Sequence, residues 1–469
     1  MRDPGAAQGY WRFPASLGSL TGRHPPPARA AERPSEARFE TSHLSSHGGA
    51  TPQRGRGLSF FNHLRWRLRA PRERLARRCT AEDFKTARGL VQSVEGIGRS
   101  YGELCSLLGA TQLPDEQSVS RLRELIEGAG RIITVGAGRS GEVADSFMRF
   151  LRNLGYERSY GPDDVPYVLK YSDLVIGFSG SGTTTYTLQT LTVARNAGSK
   201  IVVFTAAPES PAASLADLVI YLPGRTKSEP EDYYERLLSK ETYAPLTPLG
   251  TLFELRSLLV SLAFIRTLAV GGSLAENYGA LVNLASSYVP SSEEFDALYS
   301  LMPKARSRSN PWPGKLVAIG EGLSGTVAKF FVTRMRHAAK ADEVREVYYW
   351  LDKGSVAVMP GDLVLVVSGS GEQLPAVLAA KAKSKGVHVA SLTSYPNSTL
   401  GLNSDVVVNV PGRKVQKIRG LRSSYLPRDP ADSAFELRAL LSLEAMVHEI
   451  AKIEGITEAD MRKLHSDFT

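Results

Sequence analysis

Cysteine is nearly missing from this chain. Its 469 residues hold two, Cys79 and Cys105, too few for a disulfide framework or a cysteine-built metal site. No apolar run approaches the roughly 18 residues that a bilayer span requires. Lysine is absent from residues 1–80, where 15 Arg stand against 5 acids, a balance of 15 − 5 = +10. The whole chain carries +9, so residues 81–469 carry 9 − 10 = −1. A neutral body argues against nucleic-acid binding by the folded part and leaves the amino-terminal arm as the one basic surface. These absences predict a soluble, reduced, cytoplasmic body with no membrane and no nucleic-acid partner.

Apolar periodicity is also lacking before about Leu58. Residues 1–80, with Pro25-Pro-Pro27 and Gly48-Gly49, are expected to form a basic disordered extension that cannot offset the entropy of ordering itself. An Arg- and Ser-rich, acid-poor leader resembles an organellar transit peptide. The other reading is an extension upstream of the native start, although the next methionine is Met148.

What the remainder contains, it contains twice. Gly136-Ala-Gly-Arg-Ser-Gly141 returns as Gly320-Glu-Gly-Leu-Ser-Gly325, an offset of 320 − 136 = 184. Ser179-Gly-Ser-Gly182 returns as Ser368-Gly-Ser-Gly371, and Pro223-Gly-Arg225 as Pro411-Gly-Arg413. Phe253-Glu-Leu-Arg256 returns as Phe435-Glu-Leu-Arg438. Four landmarks in one order at nearly constant displacement define a tandem duplication of a domain. The domains are drawn at 81–284 and 310–469, with 285–309 as linker.

Each copy opens on a buried-strand pattern, Arg131–Val135 and Lys315–Ile319, followed by a glycine-rich turn and helical stretches at 143–154 and 327–338. Further β-branched runs follow at 173–178, 200–204 and 218–222, matched at 362–367, 387–391 and 406–410. Strands alternating with helices predict an α/β fold: a five-stranded parallel sheet per copy, flavodoxin-like and covered on both faces. Long amphipathic helices are expected at 252–269 and 435–452. In such sheets ligands sit at the carboxyl ends of the strands, where both serine-glycine turns fall.

A strand ending in Ser-Gly-Ser-Gly and entering a helix gathers backbone N–H groups, hydroxyls and the positive end of a helix dipole, a cradle for a phosphate monoester. It lacks the Gly-Lys-Ser/Thr of a Walker loop, and a dinucleotide fingerprint lacks the serines. Together with Pro223-Gly-Arg-Thr-Lys227 and Pro248-Leu-Gly-Thr-Leu-Phe-Glu254, these segments resemble the tandem sugar isomerase (SIS) domain, and within it the 6-phospho-3-hexuloisomerases.

The resemblance implies isomerisation of a 3-hexulose 6-phosphate and fructose 6-phosphate through an enediol, with no metal or organic cofactor. It also implies a homo-oligomer, here a dimer of internal pseudo-dimers. The phosphorylated sugar is expected on Ser140, Arg139, Ser179, Ser181 and Thr184 of the first copy and on Ser324, Ser368 and Ser370 of the second. Glu254 and Glu436 match the family carboxylate. Twelve residues after Gly325 stands His337, where a family histidine lies; the equivalent residue of the first copy is Asn153. His465 matches a second family histidine near the carboxyl terminus.

The first copy therefore reads as the better anion clamp and the second as holder of the proton-transfer groups. An internal two-fold pairing is expected to build one composite pocket from Ser140, Ser179, Ser181 and Thr184 with His337, Glu436 and His465. Other assignments stay open: each glutamate as a helix-dipole partner, Arg139 paired with an acid such as Glu142. So do two other functions, an isomerase of glucose or mannose 6-phosphate and a non-catalytic phosphosugar sensor.

Overall fold

The computed structural model describes residues 93–465, apart from 165, 167, 225–245, 353–356, 415, 419–420 and 424–428. The expectations for residues 1–80, and for the Arg225–Lys227 part of the first Pro-Gly-Arg segment, lie outside the described residues.

Helices α1 (Ile97–Gly109) and α2 (Glu116–Glu127) come first, the second capped by Asp115, whose carboxylate accepts the Ser118 N–H. Strand β1 (Arg131–Gly136) leads through α3 (Gly138–Asn153), β2 (Ser159–Tyr160), β3 (Asp173–Phe178), α4 (Thr185–Asn196), β4 (Lys200–Thr205) and α5 (Pro211–Ser214) to β5 (Leu218–Tyr221). Helices α6 (Thr251–Val270), α7 (Leu274–Ser286) and α8 (Ser292–Ser300) lead to the second copy. There β6 (Leu316–Ile319), α9 (Gly322–His337), β7 (Val347–Tyr349), β8 (Leu363–Val367), α10 (Gln373–Ser384), β9 (His388–Thr393), α11 (Thr399–Leu402) and β10 (Val406–Asn409) repeat the pattern. A hairpin of β11 (Gln416–Ile418) and β12 (Leu421–Ser423) precedes α12 (Ala434–Glu454) and α13 (Glu458–Leu464).

The sheets have the orders β2-β1-β3-β4-β5 and β7-β6-β8-β9-β10, the same path twice, and every pairing is parallel. This is the flavodoxin-like order, with the reversal between β1 and β3 and again between β6 and β8.

Period-two alternation explains why both faces of each sheet are covered. Leu174, Ile176 and Phe178 point inward, while Val175 faces an outer cluster with Leu191 and Ala194 of α4. In the second sheet Leu363, Leu365 and Val367 point inward, while Val364 and Val366 meet Ala376 and Ala379 of α10. The two inward faces belong to one continuous core, filled by α3, α6, α9 and α12. Each sheet thus buries one face on helices that it shares with its twin.

Two expectations need adjusting. Helix α6, within the stretch 248–270, is long and apolar enough to span a membrane by composition, yet most of it is buried in this shared layer, the signature of a core helix. The linker at 285–309 contains α8, whose Glu294 accepts the backbone N–H of Asn409 at 2.9 Å, and whose Asp296 accepts Ser93 Oγ and the Val94 N–H at 2.7 Å each. It packs as part of the body.

Candidate functional site

Both serine-glycine turns adopt the same backbone. Gly182 and Gly371 have φ of +63° and +65°, and a Cβ on either would collide with the hydroxyl of Ser210 or Ser398, so both positions require glycine. The Gly182 N–H donates to Ser179 Oγ at 3.1 Å, and the Gly371 N–H to Ser368 Oγ at 3.3 Å. In the first turn Ser179 Oγ donates to Thr184 Oγ1 (3.3 Å) and Thr183 Oγ1 to Ser181 Oγ (2.9 Å). In the second, Ser370 Oγ accepts the Glu372 N–H at 3.4 Å. The Glu372 carboxylate turns to the start of α11, where it accepts the N–H and Oγ1 of Thr399 at 3.2 and 2.6 Å.

The surroundings of the turns differ. Beside the first turn, Arg139 is buried in α3 with Ser140, and its Nη2 lies 2.8 Å from Glu254 Oε2. Its Nη1 donates to Thr251 Oγ1 at 2.7 Å. The arginine expected on the phosphate is therefore held by the carboxylate expected as base, and by the first residue of the same helix α6. Burial pushes the Glu254 carboxyl up to about 7, against the opposing pull of Arg139.

The histidines arrive at this end from the second copy. His337 closes α9, and His465 caps the end of α13; their rings lie 5.1 Å apart at 34°. Burial pulls the His337 imidazole down to about 3, helped most among the charges by Arg139. Its Nδ1 is buried with no hydrogen-bond partner. Helix α13 also touches the turn before α6, where the Leu249 N–H donates to Glu458 Oε1 at 3.2 Å.

Glu436 does not join them. Its Oε1 accepts Ser324 Oγ at 3.2 Å and Arg413 Nη1 at 3.3 Å, and it lines a cavity of about 210 Å³ with Ser368, Ser370 and Glu321. Burial raises its pKa, against the pull of Arg413. The composite pocket foreseen from sequence is therefore redistributed. The carboxylate at the histidine end is Glu254, and Glu436 stays with its own copy's serines.

Three residues escaped the sequence reading. Arg413 was visible only as the third letter of a repeated Pro-Gly-Arg. Arg334 and Glu444 form an ion pair at 2.8 Å, each about 1% exposed, with Arg334 Nη1 reaching Met461 Sδ of α13 at 3.7 Å. At the equivalent positions, 334 − 184 = 150 and 444 − 182 = 262, stand Phe150 and Leu262. That asymmetry between the copies was the signal to look for.

With the twin sheets and their paired turns in view, the class is defined: the chain belongs to the SIS domain family, which matches it twice, over residues 125–232 and 312–424. It is 38% identical over 142 residues to an uncharacterized protein of Aeropyrum pernix, covering 30% of this chain and 66% of that one. To the 3-hexulose-6-phosphate isomerase of Bacillus subtilis it is 33% identical over 155 residues, 33% of this chain and 79% of the enzyme. Among solved structures, the C-terminal domain of glucosamine-fructose-6-phosphate aminotransferase from Francisella tularensis shares the fold, with a TM-score of 0.50 at 13% identity, over 78% of this chain and 98% of that one.

Proposed function

We propose that the chain is a phosphosugar isomerase interconverting a 3-hexulose 6-phosphate and fructose 6-phosphate, and that the chemistry occurs at the end where Glu254 meets His337 and His465. The observation that carries this reading is that His337 of one copy, its ring 5.1 Å from that of His465, feels the charge of Arg139, which pairs with Glu254 in the other copy. The likeness to the Bacillus subtilis enzyme supports a 3-hexulose 6-phosphate as substrate.

In this reading the phosphate rests on Ser140, Ser179, Ser181, Thr184 and the N–H groups opening α4, where the helix dipole favours an anion. Glu254 removes the proton on C2 of the 3-hexulose and returns it to C3, so no proton is gained or lost overall. The hydroxyl proton passes from O2 to O3 of the enediol. A neutral imidazole, which His337 is when its pKa is held near 3, serves that transfer as both donor and acceptor. Arg139 keeps the carboxylate in place and stabilises negative charge developing on the oxygens.

The test is exchange of the C3 proton of fructose 6-phosphate with solvent deuterium, followed by turnover across a panel of hexose and hexulose phosphates. Binding without exchange would overturn the reading in favour of a phosphosugar sensor. Exchange on glucose or mannose 6-phosphate alone would reassign the substrate.

A further inference from the structure

The cavity of the second copy keeps its cradle while its surroundings have lost the groups that move protons. Glu436 is nine-tenths buried, and its Oε2 has no hydrogen-bond partner although Oε1 has two. A buried carboxylate oxygen without a donor keeps the full desolvation penalty of its charge, so its retention points to a donor that arrives from outside the chain. The hydroxyl of a bound polyol supplies one.

The rest of the surroundings argues against turnover there. Where the first site has Arg334, Glu444 and His337, this side has Phe150, Leu262 and Asn153. Phe150 and Leu262 line a small apolar void of about 40 Å³ together with Glu436, which fixes the correspondence in space as well as in sequence.

One element joins the two sites. Helix α9 begins at Gly322, two residues before Ser324 in the cavity of the second copy, and its 16 residues end at His337 in the site of the first. It spans about 24 Å at ~1.5 Å per residue.

We propose that the second cavity is an effector site, binding a phosphorylated polyol without isomerising it, and that α9 passes its occupancy to His337. Serines 324, 368 and 370 with the N–H groups of α10 hold the phosphate, and Glu436 Oε2 accepts a sugar hydroxyl. A packed helix with a ligand at one end and a working residue at the other is a physical route for coupling. The inference rests on the isomerase reading for the meaning of the first site, but the binding half of its test does not depend on turnover.

The test uses the full chain and a hexitol 6-phosphate, which has no carbonyl to isomerise. Calorimetry should give two binding events per chain. Ser370→Trp, which fills the cavity, should remove one, and Glu436→Leu should weaken one by at least about tenfold. Substrate–velocity curves should depart from a hyperbola in the wild type and return to one in Ser370→Trp. A single binding event in the wild type, or two events with hyperbolic kinetics, overturns the proposal. If Ser370→Trp fails to fold, Glu436→Leu decides alone. Two bound hexitol phosphates with no proton exchange would instead sink the isomerase reading and leave the second site standing.

Discussion

The two cradles share a backbone and differ in their lining. Gly182 and Gly371 agree within 2° in φ (63° and 65°), so the turn itself has not drifted. Around one turn lie Arg139, Glu254, His337 and the Arg334–Glu444 pair, a wall of ionisable groups. Around the other, Leu323, Phe150 and Leu262 face Glu436 with Arg413 as its ion-pair partner. Position in the fold sets the backbone of the turn, and in the proposed reading the neighbours alone decide whether it has a base and a shuttle. Duplicated domains are informative for this reason: each serves as the control for the other.

The sharpest way to break this comparison is at the carboxylates. Glu254→Gln is expected to lower kcat by about 10²–10⁴, and at least tenfold more than Glu436→Gln; steady-state kinetics on both variants checks it. Equal losses would mean the sites are equivalent. Next, Arg334→Met leaves Glu444 buried without its partner and should cost about 3–5 kcal/mol of stability, read from denaturant midpoints. The double variant Arg334→Phe with Glu444→Leu, which writes the lining of one side onto the other, should recover most of that stability.

His337→Asn, the residue at the matching position of the first copy, should lower kcat by about 10² while leaving KM within a few-fold. A change in KM alone would make His337 a binding residue. The smallest effect expected is on pH dependence. If Glu254 is the base, as proposed, it acts as a carboxylate, and kcat/KM should rise as pH increases through about 7. Arg139 lowers that pKa; Arg139→Met should therefore move the rising limb to higher pH. A limb that stays in place would separate Glu254 from the rate.

Much of this fold was legible because buried parallel strands read as short β-branched runs, and β3 begins and ends where the run 173–178 does. Edge strands β2 and β7 were not legible, since two or three residues carry no period. Helices α3 and α9 start inside the glycine turns, five residues ahead of the first apolar position that marks them in sequence. Of the site, the residue types were legible and their grouping was not. Whether His337 shares a pocket with Glu254 or Glu436 depends on which end of α9 faces which sheet, a property of three-dimensional pairing without a trace in linear spacing. Arg334 and Glu444 look, one at a time, like ordinary helix residues; only their joint burial gives them a role.

The common helical layer has one more consequence. Two identical subunits meeting across such a layer would carry every substitution in both sites at once, and their union would weaken on dilution. Here both halves lie on a single chain, with Ser100 Oγ of α1 donating to Glu449 Oε1 of α12 at 2.6 Å. Covalent continuity keeps the partner at a fixed high local concentration and frees each half to mutate alone. A histidine can thus persist on one side while asparagine occupies its place on the other, an option closed to a symmetric homodimer.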